Sequence, residues 1–257
     1  MKTDGIDDNA IISEFEKKPS RTTQRGTGTR VKGITMQPQN VEKIEQGLKT
    51  KEALKAGSVT VVSVGPDRVL EALRTAIAMG ADNACHVKVD QPVDTYLVAK
   101  ALAEVIKKEN GELVFSGKQA IDDDQAATFG YLAELLNWPS ASMVVKCEIN
   151  GGKALIQREV EGGTRFAIEM PTPAVIAVDK GINTPRYASL PGIMKAKKKE
   201  IKTFSLADLG LGSEQPKVST FDYALPPERQ AGKKLTGDSA TQVKELVRLL
   251  REEAKVI

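Results

Sequence analysis

Histidine occurs once in this chain, at His86, and cysteine twice, at Cys85 and Cys147. A lone imidazole argues against a histidine-built metal centre and against a hydrolase relay, both of which need further partners at fixed geometry. The cysteines are far apart, match no metal or redox spacing and lie in apolar runs. They read as buried free thiols in a reducing compartment. Aromatic residues make up only 4% and the net charge is +3, which leaves few stacking platforms and a weak field for nucleic acid. No apolar run approaches the ~20 residues that span a bilayer. The opening "MKTDGIDDNAIISEFEKK" is rich in acids and has no signal-type apolar block, so neither a transit nor a signal peptide is expected.

What is present is ordinary for a globular protein: 257 residues, 40% hydrophobic and 28% charged. Residues 1–32 are polar and rich in Thr, Gly and Arg, and read as a poorly ordered segment; "AIISEF" within them is too short and polar for a buried strand. From there strands and helices alternate. Val41, Ile44 and Leu48 mark a helix from Asn40 to Ala56, and "SVTVVSV" (58–64) is a buried strand. A helix through Leu73 and Ile77, the strand "CHVKV" (85–89), a helix opened by Pro92 and the strand "ELVFS" (112–116) follow. This alternation predicts an α/β fold with a parallel, Rossmann-like sheet over 33–181. After Pro139, "SMVVKCEI", "KALIQREVE" and "TRFAIEM" read as an antiparallel extension, turned at Asn150-Gly151-Gly152, before the strand "AVIAVD" (174–179). A Pro- and Lys-rich segment occupies 182–201. A C-terminal arm, 202–257, ends in an amphipathic helix carrying Val243, Leu246, Leu249 and Leu250.

The stretch "GKQAIDDDQAATFGYLAELLNWP" (117–139) places Asp122, Asp123 and Asp124 between a strand and a helix. Successive carboxylates rarely converge on a metal, so no metal site is expected. Two readings remain from spacing alone: caps for the following helix, or the rim of a nucleotide site built from a Gly turn, backbone N–H groups and Thr128. Ligands of open parallel sheets gather at this end of the strands.

Five stretches together resemble the β subunit of electron transfer flavoprotein, in the group of mitochondrial and related bacterial members. They are "VSVGPDRVLEALRTAIAMGAD" (62–82), "GKQAIDDD" (117–124), "NWP" (137–139), "REVEGG" (158–163) and "INTPRYASLPGIMKAKKKEI" (182–201). The resemblance implies a redox carrier without substrate turnover of its own. One FAD, held mainly by an α subunit, would take electrons from acyl-CoA and related dehydrogenases and pass them to a quinone oxidoreductase. A structural AMP would lie in the β subunit, contacted by Gln37, Pro38, Gln39, Asn40, Val64 and the run Asp122, Asp123, Asp124, Gln125, Ala126, Ala127, Thr128, Phe129, Gly130, Tyr131, Leu132 and Ala133.

The same resemblance makes 182–201 a partner recognition loop with Leu190, Ile193, Met194, Lys195 and Lys198 as contacts, the two lysines aligning with methylated positions of mitochondrial members. Pro191 is expected to hold Leu190 extended and exposed. Glu159 would bridge to the mobile FAD domain of α, and 202–257 would pack on α. A bacterial member would be cytoplasmic, which the acidic start favours, and a eukaryotic one would lie in the mitochondrial matrix. The departures are Gln37 for Asn, Gln39 for an aromatic, Ala127 for Gln, Phe129 for Gly and no family-type first strand. They leave open a divergent chain start or a crowded AMP site. Two other classes are weighed beside this one. A nucleotide-hydrolysing enzyme would need a phosphate motif after the first strand, and a homodimeric ATP/AMP-binding stress module would need neither the Leu190 loop nor the arm.

Overall fold

A strand that is apolar on both faces must be covered on both faces, and the β-branched runs of this chain meet that condition inside a parallel sheet. The computed structural model of the chain describes residues 9–13, 38–120, 124–219, 232 and 234–257. In chain order it forms β1 (Asn9–Ser13), α1 (Pro38–Leu54), β2 (Ser58–Gly65), α2 (Val69–Met79), β3 (Asn83–Lys88), α3 (Thr95–Lys108), β4 (Leu113–Gly117) and α4 (Thr128–Leu136). Then come β5 (Ser140–Asn150), β6 (Lys153–Glu159), β7 (Arg165–Pro171), β8 (Ala174–Val178), α5 (Leu190–Lys198), β9 (Lys202–Ser205) and α6 (Ser239–Glu252).

The described strands form one sheet in the order β7-β6-β5-β8-β4-β1-β2-β3-β9. All pairings from β5 to β9 are parallel, and β6 and β7 add an antiparallel extension. Two cores follow from the two-residue period of the strands. On β2, Val59 and Val61 enter the core beneath α1 and α2, and Val62 and Val64 enter the one beneath α3 and α4. Strand β4 repeats the split, with Leu113 and Phe115 on the first face and Val114 on the second. Each such side chain contributes ~1.5–3 kcal/mol when fully buried. The one histidine, His86, is buried in β3 and donates from Nε2 to the Gly65 carbonyl at 2.8 Å, a structural role.

The expected α/β class and antiparallel extension are present, and Gly151 and Gly152, at φ of +56° and +78°, make the hairpin turn. Four local expectations are corrected. First, Asn9–Ser13 is a strand, paired in parallel with both β2 and β4, so the segment read as lacking a first strand supplies an interior one. Five residues suffice there because neighbours on both sides complete the ladder. Second, α3 begins at Thr95 rather than near Pro92, since Asp94 accepts from the Leu97 N–H at 2.8 Å and caps the helix there. Third, the sheet does not end before 181. Lys202–Ser205 pairs with β3, and the chain divides into two units only after Ser219. Fourth, Leu190 is not extended but opens α5. Ser189 caps that helix by accepting from the Gly192 N–H at 3.1 Å, and Pro191 fits its first turn, where no N–H donor is needed.

In the second unit, α6 is capped by Asp238, which accepts from the Thr241 N–H at 2.9 Å. None of its residues is buried, and Val243 and Leu246 are exposed.

Candidate functional site

The sheet reverses its winding between β1 and β4: the chain passes outward from β1 to β2 and β3, then returns to β4 on the other side. Such a reversal opens a crevice at the carboxyl ends of the two strands. The loop holding the aspartate run leaves β4 at that point. Within it Asp124 and Ala126 take left-handed φ of +58° and +48°, a strain of ~1–3 kcal/mol each that surrounding contacts must hold. Local hydrogen bonds hold the loop in this shape. The Asp124 N–H donates to the Ala120 carbonyl at 3.0 Å, the Gln119 amide donates to the Asp124 carboxylate, and the Thr95 hydroxyl donates to the Gln125 side chain. Lys118 closes the loop base through an ion pair with Asp179, at 2.8 Å, joining the ends of β4 and β8.

Asp124 is therefore no helix cap. Helix α4 starts at Thr128, and its N-cap Ala127 offers no side-chain acceptor. The first-turn N–H groups of a helix are orphan donors at its positive end, and here no N-cap side chain takes one of them. Asp122, Asp123 and Gln37 lie outside the described residues, and Pro38, Gln39 and Asn40 form the first turn of α1. Thr128 is buried at the mouth of α4, and Val64 is buried one residue before the end of β2. Of the remaining expected contacts, Leu132 and Ala133 are core residues, while Gly130 and Tyr131 are exposed, Tyr131 meeting Tyr96 edge-to-face at 5.5 Å. Phe129 is half-buried and lines a separate cavity with Pro139, Ser140, Ser142, Arg158 and Met170.

A residue missed by the sequence reading is a buried polar position at the carboxyl end of β4. Ser116, penultimate in β4, is 1% exposed, and its hydroxyl has no hydrogen-bond partner among the described residues. It shares the face of Val114, toward α3 and α4. A buried hydroxyl without a partner is rare because desolvation is not repaid. The cue was legible only in retrospect, as one polar position in an apolar strand.

The second candidate region is the segment before and through α5. Residues 181–186 are sewn onto α1: the Gly181 N–H donates to Glu42, Asn183 donates to the Glu42 carbonyl at 2.9 Å, and Arg186 makes forked pairs with both Glu45 and Glu52 at 2.7–3.0 Å. Arg186 holds the Glu52 carboxyl below its ordinary range, chiefly by that hydrogen bond. Arg74 of α2 donates to the Ala196 and Lys199 carbonyls and closes the far end of α5. Between these anchors the apolar side chains stand outward: Tyr187 is 97% exposed, Leu190 75% and Met194 53%, with Ile193 beside them. Lys195 and Lys198 are exposed on the same short helix. The structure thus brings Leu190, Ile193, Met194, Lys195 and Lys198 together, and places Glu159 elsewhere, at the end of β6, where Arg165 pairs with it at 3.3 Å.

The electron transfer flavoprotein domain model matches residues 29–209, the span from before α1 to beyond β9. An electron transfer flavoprotein subunit beta of Bacillus subtilis (strain 168) is 42% identical over 219 residues, 83% of this chain and 84% of its own length. The mitochondrial electron transfer flavoprotein subunit beta of Oryza sativa subsp. indica is 41% identical over 244 residues, covering 93% of this chain and 92% of its own. The chain belongs to the electron transfer flavoprotein β-subunit family. Both bacterial and mitochondrial members of the family are among its relatives, and no described helix is long and apolar enough to cross a membrane. Both candidate regions of this family member, the switch-point loop and α5, fall inside the matched span. Cys85 is buried and Cys147 half-buried; loss of water raises each thiol to about 12, and no described group of side chains could hold a metal ion.

Proposed function

We propose that this chain is the β half of a heterodimeric electron carrier, paired with an electron transfer flavoprotein α subunit. FAD, held mainly by α, supplies the redox chemistry when bound; residues of this chain position partners around it. Electrons come from acyl-CoA-type dehydrogenases and leave to a quinone oxidoreductase. The observation that carries the reading is the α5 element: a pinned, lysine-flanked helix that leaves Tyr187, Leu190 and Met194 in water inside a family match. A monomer gains nothing by holding a leucine there, whereas a partner pocket that takes it up gains ~1.5–3 kcal/mol. The lysines add a positive field that speeds encounter with an acidic partner surface.

The switch-point crevice fits a structural AMP. Its phosphate would meet the uncapped N–H donors at the start of α4, and the Ser116 and Thr128 hydroxyls supply buried polar groups on the same side. Asp124, turned back onto Gln119, is placed to shape the loop rather than face phosphate oxygens. Glu159, exposed and held only by an open ion pair, suits a contact that must form and break as the FAD domain moves. The amphipathic α6, with no residue buried in its own unit, is read as the arm that packs on α. Co-expression with the α subunit tests the whole: the reading requires a yellow heterodimer that accepts electrons from an acyl-CoA dehydrogenase, and a colourless homodimer would refute it.

A further inference from the structure

We propose that the cavity around Arg158 is a carboxylate receptor, filled in the assembled carrier by an aspartate or glutamate side chain of the α subunit. The inference rests on the β-subunit reading above. Arg158 lies on β6, opposite Val144 of β5 and Phe166 of β7. It lines a cavity of about 210 Å³ with Phe129, Ser140, Ser142 and Met170. Its Nε is buried and has no hydrogen-bond partner among the described residues. A guanidinium is always charged, so this donor cannot escape its desolvation by losing a proton. What the site lacks among the described residues is an acceptor.

The cavity has a built origin. Strand β5 pairs with β8 up to Ala141, then shifts register before Val144, with Met143 at a left-handed φ of +59°. A bulge of this kind bends a strand away from its neighbours, and such bulges concentrate at functional sites. The opening it leaves holds one cationic fork, two serine residues and apolar walls from Phe129, Pro139 and Met170. That chemistry suits a carboxylate, whose two oxygens match the guanidinium fork, on a short apolar stem. The space is too small for a nucleotide. The rim indicates a protein source for the carboxylate. Phe166, beside Arg158 across the strand pair, is 54% exposed, and β7 is the outermost strand of the sheet. A water-excluding aromatic next to an unpaired arginine is the composition of an interface anchor.

The test uses the full chain and its α subunit. Arg158→Gln should weaken their association tenfold or more, with Arg158→Lys recovering part of the loss and Phe166→Ala weakening it less. Melting of the isolated chain should be unchanged or raised by Arg158→Gln, because the guanidinium satisfies nothing there. Equal affinity of unsubstituted chain and Arg158→Gln for α would overturn the proposal. So would stabilisation of the isolated chain by sodium acetate, relative to equal sodium chloride, that vanishes in Arg158→Gln while affinity for α stays unchanged. That result would assign the cavity to a free small acid. A chain that does not pair with α at all would remove the β-subunit reading itself, and this inference with it.

Discussion

Gly192 of α5 lies directly against the Ala78 carbonyl of α2: a β-carbon built on Gly192 would stand 2.3 Å from that oxygen. The obstacle is backbone, so it cannot swing away as a side chain would. Gly192→Ala should therefore lift α5 off α2. We expect a loss of ~1–3 kcal/mol, the usual range for overpacking. Calorimetry of the isolated chain reads it as a lower midpoint. A midpoint equal to that of the unsubstituted chain would mean that α5 is not seated as described.

Leu190 is the complementary case, a side chain that supports nothing inside the chain. Leu190→Ala should leave melting, α pairing and flavin content unaltered. The half-saturating dehydrogenase concentration in a flavin-reduction assay should rise roughly ten- to hundredfold, from the ~1.5–3 kcal/mol of lost burial. An unchanged titration curve would remove Leu190 as an anchor.

Arg186 links the same element to α1. Its partner Glu45 is only 3% exposed at the side chain, so Arg186→Met strands a buried carboxylate. Breaking such a pair costs ~3–5 kcal/mol when both partners are buried; Arg186 is about one-third exposed, which puts the expected loss at or below the low end. The pH dependence follows from Glu52, whose folded pKa is lowered chiefly by the Arg186 hydrogen bond. A lowered carboxyl stabilises above its unfolded pKa and loses that contribution as pH falls through the folded value. The melting gap between Arg186→Met and the unsubstituted chain should thus narrow below about pH 4, and only slightly, because Glu52 is more than half exposed. A gap that widens in acid would contradict this account.

The elements around these residues were legible in the sequence to different degrees. Parallel strands announce themselves because both faces are buried, and "SVTVVSV" could be little else. The exposed Leu190 was also readable, yet its helix was not, since Pro191 disfavours helix for the residue before it unless a cap such as Ser189 opens the turn. The strand at Asn9–Ser13 escaped because five residues carry too little periodicity to stand out from a polar segment. Ser116, Arg158 and Arg186 were invisible for a different reason: their partners, or lack of partners, are set by residues distant in sequence.

Thiol chemistry offers a check on the second core and the antiparallel extension. With both thiols raised to about 12 by burial, neither Cys85 nor Cys147 presents thiolate near neutral pH. An aromatic disulfide reagent at pH 8 should react negligibly with the native chain over minutes and with two thiols once the chain is unfolded. Rapid native labelling of one thiol would show that its strand opens locally.

The nucleotide reading makes the remaining prediction. If the crevice between β1 and β4 holds AMP, denaturing the purified heterodimer should release close to one AMP per flavin, measured by chromatography of the supernatant. Ser116 tests it. Ser116→Ala deletes the hydroxyl and adds no atom, so the backbone and its neighbours are not displaced while a buried donor is removed. If the nucleotide accepts that donor, occupancy should fall. If Ser116 is only an orphan in the core, occupancy should hold and melting should rise, because an unsatisfied polar group has been deleted. Thr128→Val probes the start of α4 and should also lower occupancy. Phe129 separates crowding from chemistry. It lines the Arg158 cavity, so Phe129→Gly should not raise occupancy. A clear rise would mean that the ring obstructs the phosphate after all. Absence of AMP from the unsubstituted heterodimer and from all three variants would leave the strained loop at Asp124 and Ala126 with a structural role alone.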